Sequence, residues 1–219
     1  MYLQVGAPEA TVSFANATNS PLPIPEALGI VTGDFNEDGK PDLAVSANEK
    51  LYVLLGNGDG TFTTTPASPM HVPSPPYDNF GSPYTGPLAV GDFNNSGHLG
   101  LAVGEFQNEA AVILLGNGNG TFSPSSAVFA NAQGEPMFDI AAADFNRDGN
   151  LDLAIVNNIS GQSPVELGFG DGAFTMSAAL NTLLLPTAVA VGDFNGDGKL
   201  DLAVANLGGT GTVSILLQQ

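Results

Sequence analysis

Oxygen-bearing side chains recur at a fixed spacing in four short loops of this 219-residue chain. Three of the loops have Asp at positions 1, 5 and 9, Asn at position 3 and Gly at position 6, and they begin at Asp34, Asp144 and Asp193. Calcium takes six to eight oxygen ligands and tolerates irregular geometry. The spacing therefore predicts a calcium site in each of these three loops, closed by the sharp turn that Gly permits.

The predicted ligands are the side chains at positions 1, 3, 5 and 9 and the backbone carbonyl at position 7. They are Asp34, Asn36, Asp38, Lys40 and Asp42 in the first loop, Asp144, Asn146, Asp148, Asn150 and Asp152 in the third, and Asp193, Asn195, Asp197, Lys199 and Asp201 in the fourth. We expect about three calcium ions, each with a structural role.

The second loop, residues 92–100, has lost two of these ligands. Ser96 replaces an acid with a weaker hydroxyl ligand, and Gly100 replaces the closing carboxylate. We expect weak metal binding or none at this loop. His98 stands at the carbonyl position, so its ring is expected to point away from any ion.

The residue types in the loops argue against an EF-hand and against zinc. An EF-hand needs Glu at position 12, where this chain has Val45, Ile155 and Val204, and is excluded. Zinc is disfavoured because the chain has no Cys and neither His is at a side-chain ligand position. Magnesium, with its stricter octahedral geometry, is the second choice of metal. Ordinary Asp/Asn turns are the structural alternative.

The loops recur with a period that indicates a repeat architecture. Their first residues are 34, 92, 144 and 193, so successive loops are 58, 52 and 49 residues apart. Short apolar runs bounded by Gly and Pro indicate four buried strands per unit, an arrangement typical of an all-β β-propeller with four four-stranded blades. A β-sandwich with calcium in its loops is the competing fold. The predicted blades are approximately 27–65, 87–130, 137–180 and 186–217, and the last includes residues 10–18.

The fourth unit carries only three strand signals. Residues 10–15, ATVSFA, carry an additional strand signal at the other end of the chain. We expect residues 10–18 to complete the last blade, within one chain or between two, and so to hide its edge. Residues 1–219 are then one domain, interrupted by a Pro-rich insertion at 66–86.

Composition restricts the function. The formal charge is −18 with four Lys and Arg residues, which disfavours nucleic acid and anionic membranes as partners. No apolar run is long enough to insert into a membrane. Residues 1–10 do not have the pattern of a signal peptide. Millimolar calcium outside cells suits such loops, so an extracellular, secreted location is expected, with a cytoplasmic protein as the alternative.

The repeated segments also resemble a known family. GDFNEDGKPDLAV, ADFNRDGNLDLAI and GDFNGDGKLDLAV, with the linked LLGNGDGTF and LLGNGNGTF, are similar to the FG-GAP or VCBS repeat of integrin α-subunit propellers and many secreted bacterial proteins. The resemblance covers essentially residues 27–219. It implies a β-propeller with calcium in the hairpin between the first two strands of a blade. Members include adhesion receptors, lectins and accessory domains of polysaccharide-degrading enzymes, and most rings have about seven blades.

Fold and resemblance leave several functions open. The leading hypothesis is a noncatalytic binding or adhesion module for a glycan or a surface protein. The alternatives are an accessory fragment of a polysaccharide-degrading enzyme and half of a larger propeller assembled from two chains, so both a monomer and a homodimer are considered. No catalytic constellation is visible around His71 or His98. The predicted ligand-binding residues lie in the Pro-rich insertion and are Tyr77, Asp78, Asn79, Phe80 and Tyr84. The alternative role of the three aromatic rings is to pack the loop onto the blades.

Overall fold

The computed structural model describes residues 13–73, 85–105, 110–130, 137–157, 162–182 and 185–219. These residues form sixteen β-strands and no helix, in four antiparallel sheets. The first sheet contains β1 (Ala27–Gly33), β2 (Asp42–Ala47), β3 (Lys50–Gly56), β4 (Phe62–Thr64) and β5 (Met70–His71). The second contains β6 (Thr85–Gly91), β7 (Gly100–Glu105), β8 (Ala110–Gly116) and β9 (Phe122–Ala130).

The remaining two sheets repeat the same order. The third contains β10 (Met137–Ala143), β11 (Asp152–Asn157), β12 (Gln162–Gly168) and β13 (Phe174–Asn181). The fourth contains β14 (Pro186–Gly192), β15 (Asp201–Asn206) and β16 (Thr212–Leu216). In every sheet, consecutive strands pair with each other, except that β5 pairs with β3, and this is the up-and-down order of a propeller blade. The all-β, blade-like architecture predicted from the sequence is confirmed.

Apolar layers between successive sheets hold the blades together. One cluster lies between the first and second sheets, around Leu51 and Leu101, and another between the second and third, around Ile113 and Ile155. Strands β7 and β11 are buried along their whole length, because a neighbouring sheet covers each of their faces. This burial explains why their sequences are apolar without alternation. The first strands of the blades, β1, β6, β10 and β14, contact one another in that order.

The first sheet reaches into the segment that the sequence assigned to the Pro-rich insertion. Strand β4 pairs with the end of β3, and β5 pairs with its beginning at Lys50 and Leu51. Between the two pairings, the hydroxyl of Ser68 accepts a hydrogen bond from the amide of Val53 at 2.9 Å. Two short strands and one side chain thus occupy the position of a single fourth strand. Residues 74–84 lie outside the described part of the chain.

The fourth sheet has three strands, which differs from the predicted four. Of the segment expected to close it, the structure describes residues 13–18, and these form no strand. The side chain of Phe14 is 95% exposed. Apolar side chains are also exposed at both ends of the stack of blades, with Ile30 on β1 64% exposed and Ile215 on β16 52% exposed. In the described residues the ring is therefore open, and its closure by the N-terminal strand is not observed.

None of the described residues belongs to a helix that is long and apolar enough to cross a membrane.

Candidate functional site

The acidic loops connect the first and second strands of each blade. The loop of the first blade begins directly after β1, at Asp34, and its ninth residue, Asp42, begins β2. Position 4 has a positive φ even where it is not Gly, as at Glu37 (62°) and Arg147 (63°). Position 6 is a Gly with a positive φ, which is 81° at Gly39 of the first loop. Two left-handed residues in six make the backbone turn sharply, which directs successive side chains into the loop.

The carboxylate at position 1 holds each loop closed. In the first loop, Asp34 accepts the amide of Asp38 at 3.1 Å with Oδ1 and the amide of Gly39 at 2.8 Å with Oδ2. Asp144 and Asp193 accept the corresponding amides at 2.8–3.1 Å. The loops therefore adopt one conformation in three blades, with the carboxylate oxygens inside the turn.

The side chains at positions 3 and 5 continue the same pattern. In the third loop, Asn146 Oδ1 accepts the amide of Asp148 at 2.9 Å, and Asp148 Oδ1 accepts the amide of Asn150 at 2.8 Å. The bond from the Asn150 amide, followed by that from the Asn146 side chain, lowers the pKa of the Asp148 carboxyl. The pKa of Asp197 is lowered in the same way. Both carboxyl groups are therefore ionised at neutral pH, the form in which a carboxylate binds a cation.

The aspartate at position 9 has a role that the sequence did not predict. Asp42 is fully buried, and it accepts the amide of Phe35 with Oδ2 and the amide of Gly56 with Oδ1, both at 2.8 Å. Asp152 and Asp201 make the equivalent pairs of hydrogen bonds at 2.8–2.9 Å. The ninth residue thus ties the acidic loop to the end of the third strand of its blade in all three loops.

The oxygen atoms of each loop form a donor set for a metal ion. In the part of the chain that the structure describes, no three acidic or histidine side chains converge as a metal-binding group. The oxygens of Asp34, Asn36 and Asp38 nevertheless lie in one turn, and each carboxylate oxygen has a second lone pair beside the one that accepts an amide. An all-oxygen donor set of this kind suits calcium in its chemistry.

The second loop keeps its shape without its closing carboxylate. Asp92 still accepts the amides of Ser96 at 3.0 Å and Gly97 at 2.7 Å. A Cβ on Gly100 would lie 2.6 Å from the carbonyl oxygen of Leu114, so the backbone of β8 occupies the space that a side chain at this position would need. The Oδ1 atom of Asn94 is buried without a hydrogen-bond partner. The second loop therefore keeps the backbone turn but has no carboxylate at position 9.

Neighbouring loops contact each other through residues of different repeats. Position 4 of one loop reaches position 6 or 7 of the next. Glu37 Oε1 contacts the ring of His98, and Arg147 donates to the carbonyl oxygen of Gly198. Between these two contacts, Asn95 Nδ2 donates to Asn150 Oδ1 at 2.8 Å. The four loops thus form one continuous row along a single face of the blades.

A further carboxylate lies at the first strands of the blades. Strands β1, β6 and β10 line a cavity of about 340 Å³ that includes Asp139. Asp139 accepts the amide of Val189, on the next blade, at 2.9 Å and its neighbouring amide of Ile140 at 3.0 Å. Burial raises the pKa of Asp139 despite these hydrogen bonds.

The five predicted ligand residues, Tyr77, Asp78, Asn79, Phe80 and Tyr84, lie outside the described residues.

Solved structures with similar folds include several from larger proteins. A lectin of Agrocybe aegerita, described as recognising non-reducing terminal N-acetylglucosamine, is 22% identical with a TM-score of 0.51, and the match covers 84% of this chain and 50% of the lectin. BBS1N, solved in complex with ARL6DN, is 16% identical with a TM-score of 0.53, covering 87% and 56%. The Photorhabdus luminescens Tc holotoxin pore is 19% identical with a TM-score of 0.52, covering 84% and 8%.

These similarities show a shared fold. This chain spans about half the length of the lectin and of BBS1N. No curated protein sequence matches the chain. A family model described as an FG-GAP-like repeat matches residues 34–103 and 92–155, and one described as an FG-GAP repeat matches residues 185–216. With more than half of its length covered by these repeats, the chain belongs to the FG-GAP repeat family.

Proposed function

We propose that this chain is a noncatalytic, extracellular binding module in which three FG-GAP loops hold structural calcium and the blades present a surface to a glycan. The observation that supports the calcium assignment is the shared hydrogen bond from the position 6 amide to the first Asp in the loops that begin at Asp34, Asp144 and Asp193. A repeat family and a lectin among the structures of similar fold support a binding module.

Calcium would supply positive charge to a strongly acidic molecule. The chain carries 22 Asp and Glu against four Lys and Arg, and each intact loop concentrates three aspartates within nine residues. The residues that would hold the ion are those at positions 1, 3 and 5, which the loop backbone already orients, and the carbonyl at position 7. The ninth aspartate already holds the loop to the sheet. An ion would reduce repulsion among these carboxylates and rigidify the row of loops.

Calorimetric titration of chelator-treated protein with calcium tests the metal assignment. We expect about three ions per chain, and about two for Asp38→Ala, because that change removes a ligand from a single loop. Asp59→Ala is the matched control, since Asp59 is also an exposed aspartate that accepts an amide in a Gly-rich turn. Four equivalent tight sites, or none, would overturn the assignment.

The glycan is proposed as the target because the lectin of similar fold is described as recognising a terminal sugar. Aromatic rings can stack on the apolar faces of sugars, and the sequence places Tyr77, Phe80 and Tyr84 close to Asp78 and Asn79. A glycan array that includes terminal N-acetylglucosamine, probed with and without calcium, tests this target. We expect calcium-dependent binding, and an array on which no glycan binds would overturn the proposal.

A double variant tests whether the glycan binds at the Pro-rich insertion. Tyr77→Ala combined with Tyr84→Ala should weaken binding to any glycan found on the array at least tenfold, with an unchanged melting temperature. Phe169→Ala, which removes an exposed ring from a turn of the third blade, is the matched control and should bind as the parent does. Equal affinity of the double variant and the parent would place the binding surface elsewhere on the blades.

A further inference from the structure

The two internal boundaries between complete blades share one aromatic contact. At the first, Phe35 of the acidic loop packs edge to face against Phe122 of β9, with ring centroids 5.4 Å apart. At the second, Phe93 packs against Phe174 of β13 at 6.1 Å. Thus the Phe that begins the fourth strand of one blade packs against the loop Phe of the preceding blade.

A backbone hydrogen bond accompanies each aromatic contact. The amide of Gly120 donates to the carbonyl oxygen of Phe35 at 2.8 Å, and the amide of Gly172 donates to that of Phe93 at 3.0 Å. Both glycines end the Gly-rich turn that leads into a fourth strand. A fourth strand therefore contributes two features to the boundary, a Gly amide and, two residues later, a Phe ring.

The third boundary lacks both features. An apolar cavity of about 260 Å³ opens beside Phe145, the loop Phe of the third blade, and we call this cavity the Phe145 socket. The side-chain amide of Gln218 donates to the carbonyl oxygen of Phe145 at 2.6 Å, in place of the Gly amide. In the described residues no strand pairs with the outer edge of β16. The residues that line the socket include Val165, Leu167, Leu180, Leu202 and Leu216.

The Gly-rich turn that leads into a fourth strand also lies at a fixed position beside the fourth strand of the preceding blade. A Cβ on Gly120 would lie 3.3 Å from Thr65 Cγ2, and a Cβ on Gly172 would lie 3.0 Å from Ser125 Oγ. Thr65 and Ser125 each stand three residues after the Phe of the preceding fourth strand. The last Gly of each turn is therefore adjacent to the fourth strand of the preceding blade.

The N-terminal segment occupies this position beside the first blade. A Cβ on Gly60, the equivalent glycine of the first blade, would lie 3.5 Å from the Cβ of Ala17. Ala17 stands three residues after Phe14, just as Thr65 does after Phe62. Ala17 therefore lies where Thr65 and Ser125 lie in a preceding blade, and this equivalence aligns Phe14 with the boundary Phe of a fourth strand.

Chain spacing supports the same alignment. The boundary Phe precedes the first Asp of the following loop by 22 residues from Phe122 to Asp144 and by 19 from Phe174 to Asp193. The distance from Phe14 to Asp34 is 20 residues. Phe14 is thus in register with the repeat, yet its ring is 95% exposed because no blade lies next to it in the single chain.

We propose that two copies of this chain associate head to tail, with Phe14 of each copy inserted into the Phe145 socket of the other. Each copy presents one donor segment and one socket, at opposite ends of the open stack of blades. Two such contacts related by a twofold axis close the assembly, so that neither end remains unpaired. The exposed apolar side chains of β1 and β16, including Ile30 and Ile215, would be covered by the same association.

The mass in solution gives the first test. Light scattering after gel filtration should give twice the chain mass of 22.2 kDa at tens of micromolar protein in about 0.15 M salt, which screens the repulsion between two acidic copies. Phe14→Ala should raise the dissociation constant of the dimer at least tenfold, since it removes a large apolar side chain from each socket. Phe169→Ala, a change at another exposed Phe, should leave the dimer intact. A monomeric parent protein, or an equal effect of the two variants, would overturn the proposal.

Cross-linking identifies the contact and the copy that supplies it. The chain contains no Cys, so introduced thiols have no competitors. When the single variants Phe14→Cys and Leu180→Cys are mixed and oxidised, we expect a disulfide-linked pair of twice the chain mass, whereas Phe169→Cys mixed with Leu180→Cys should give none. A double variant carrying Phe14→Cys and Leu180→Cys that forms its disulfide only within one chain would overturn the association of two copies.

Discussion

The buried carboxylate of Asp42 accepts a hydrogen bond from the amide of Gly56, fourteen residues further along the chain, at 2.8 Å. Its second oxygen accepts the amide of Phe35, the second residue of the acidic loop. One side chain therefore fixes the loop to the end of β3 and to the Gly-rich turn that follows. This relationship gives the ninth loop residue a structural role that is separate from any role in metal binding.

Substitution of this residue should destabilise the protein even without calcium. Asp42→Ala leaves two buried amides without their acceptor, at about 1–3 kcal/mol each, so we expect a loss of about 3 kcal/mol in the free energy of unfolding. Asp38→Ala removes an exposed carboxylate of the same loop and should cost less than about 1 kcal/mol in chelator. Urea denaturation in chelator measures both changes. Equal losses for the two variants would contradict the structural role of Asp42.

Calcium should stabilise the native protein strongly. A ligand that binds only the native state adds about 2.7 kcal/mol per site at a hundredfold excess over its dissociation constant. The melting temperature should therefore fall in chelator and recover when calcium is returned. Asp148→Ala, which empties one loop of three, should show about two thirds of the parent's response to calcium. A melting curve that is the same in chelator and in calcium would show that the loops are ordinary turns.

Restoring the lost acid of the second loop should not restore a site. A Cβ on Gly100 would lie 2.6 Å from the carbonyl oxygen of Leu114, so Gly100→Asp forces the backbone of β7 and β8 apart. We expect a loss of about 1–3 kcal/mol and no additional calcium ion. Denaturation and calorimetric titration of the variant measure the two effects. A variant as stable as the parent that binds one more ion would show that the loop has kept the geometry of a site.

The sequence predicted the repeated blades well because the same local signals recur in every unit. The acidic loop, the DLAV-type strand and the Gly-rich turn each determine their own backbone, and the hairpins of β1–β2, β10–β11 and β14–β15 have matching registers. The second role of Asp42 could not be predicted in this way, since its partner Gly56 becomes a neighbour only when β2 and β3 pair.

Contacts between blades were also missed, because they join residues of different repeats. The contact of Glu37 with His98 and that of Asn95 with Asn150 depend on how two loops lie side by side, which no pattern within one repeat describes. The position of β5 was missed because Pro69 and Pro73 interrupt the strand pattern around it, and Pro is disfavoured within sheets. The calcium ligation and the glycan surface at Tyr77 and Tyr84 stay predictions.

A buried carboxylate of the third blade provides a pH-dependent prediction. Glu166 on β12 is only 7% exposed, and burial raises the pKa of its carboxyl above the ordinary value of 4.5. A raised pKa in the folded state means that the native protein binds this proton more tightly than the unfolded chain does. The stability that this proton provides is complete below the unfolded pKa and is lost as the pH rises through the folded pKa. Glu166→Gln removes the ionisation, so its melting temperature relative to the parent should rise as the pH increases above the ordinary glutamate pKa of 4.5. Thermal unfolding of both proteins in chelator measures this difference, and Glu26→Gln, at an exposed glutamate, serves as the control that shows no such trend. A difference between Glu166→Gln and the parent that stays constant or falls with rising pH would contradict the desolvation of Glu166.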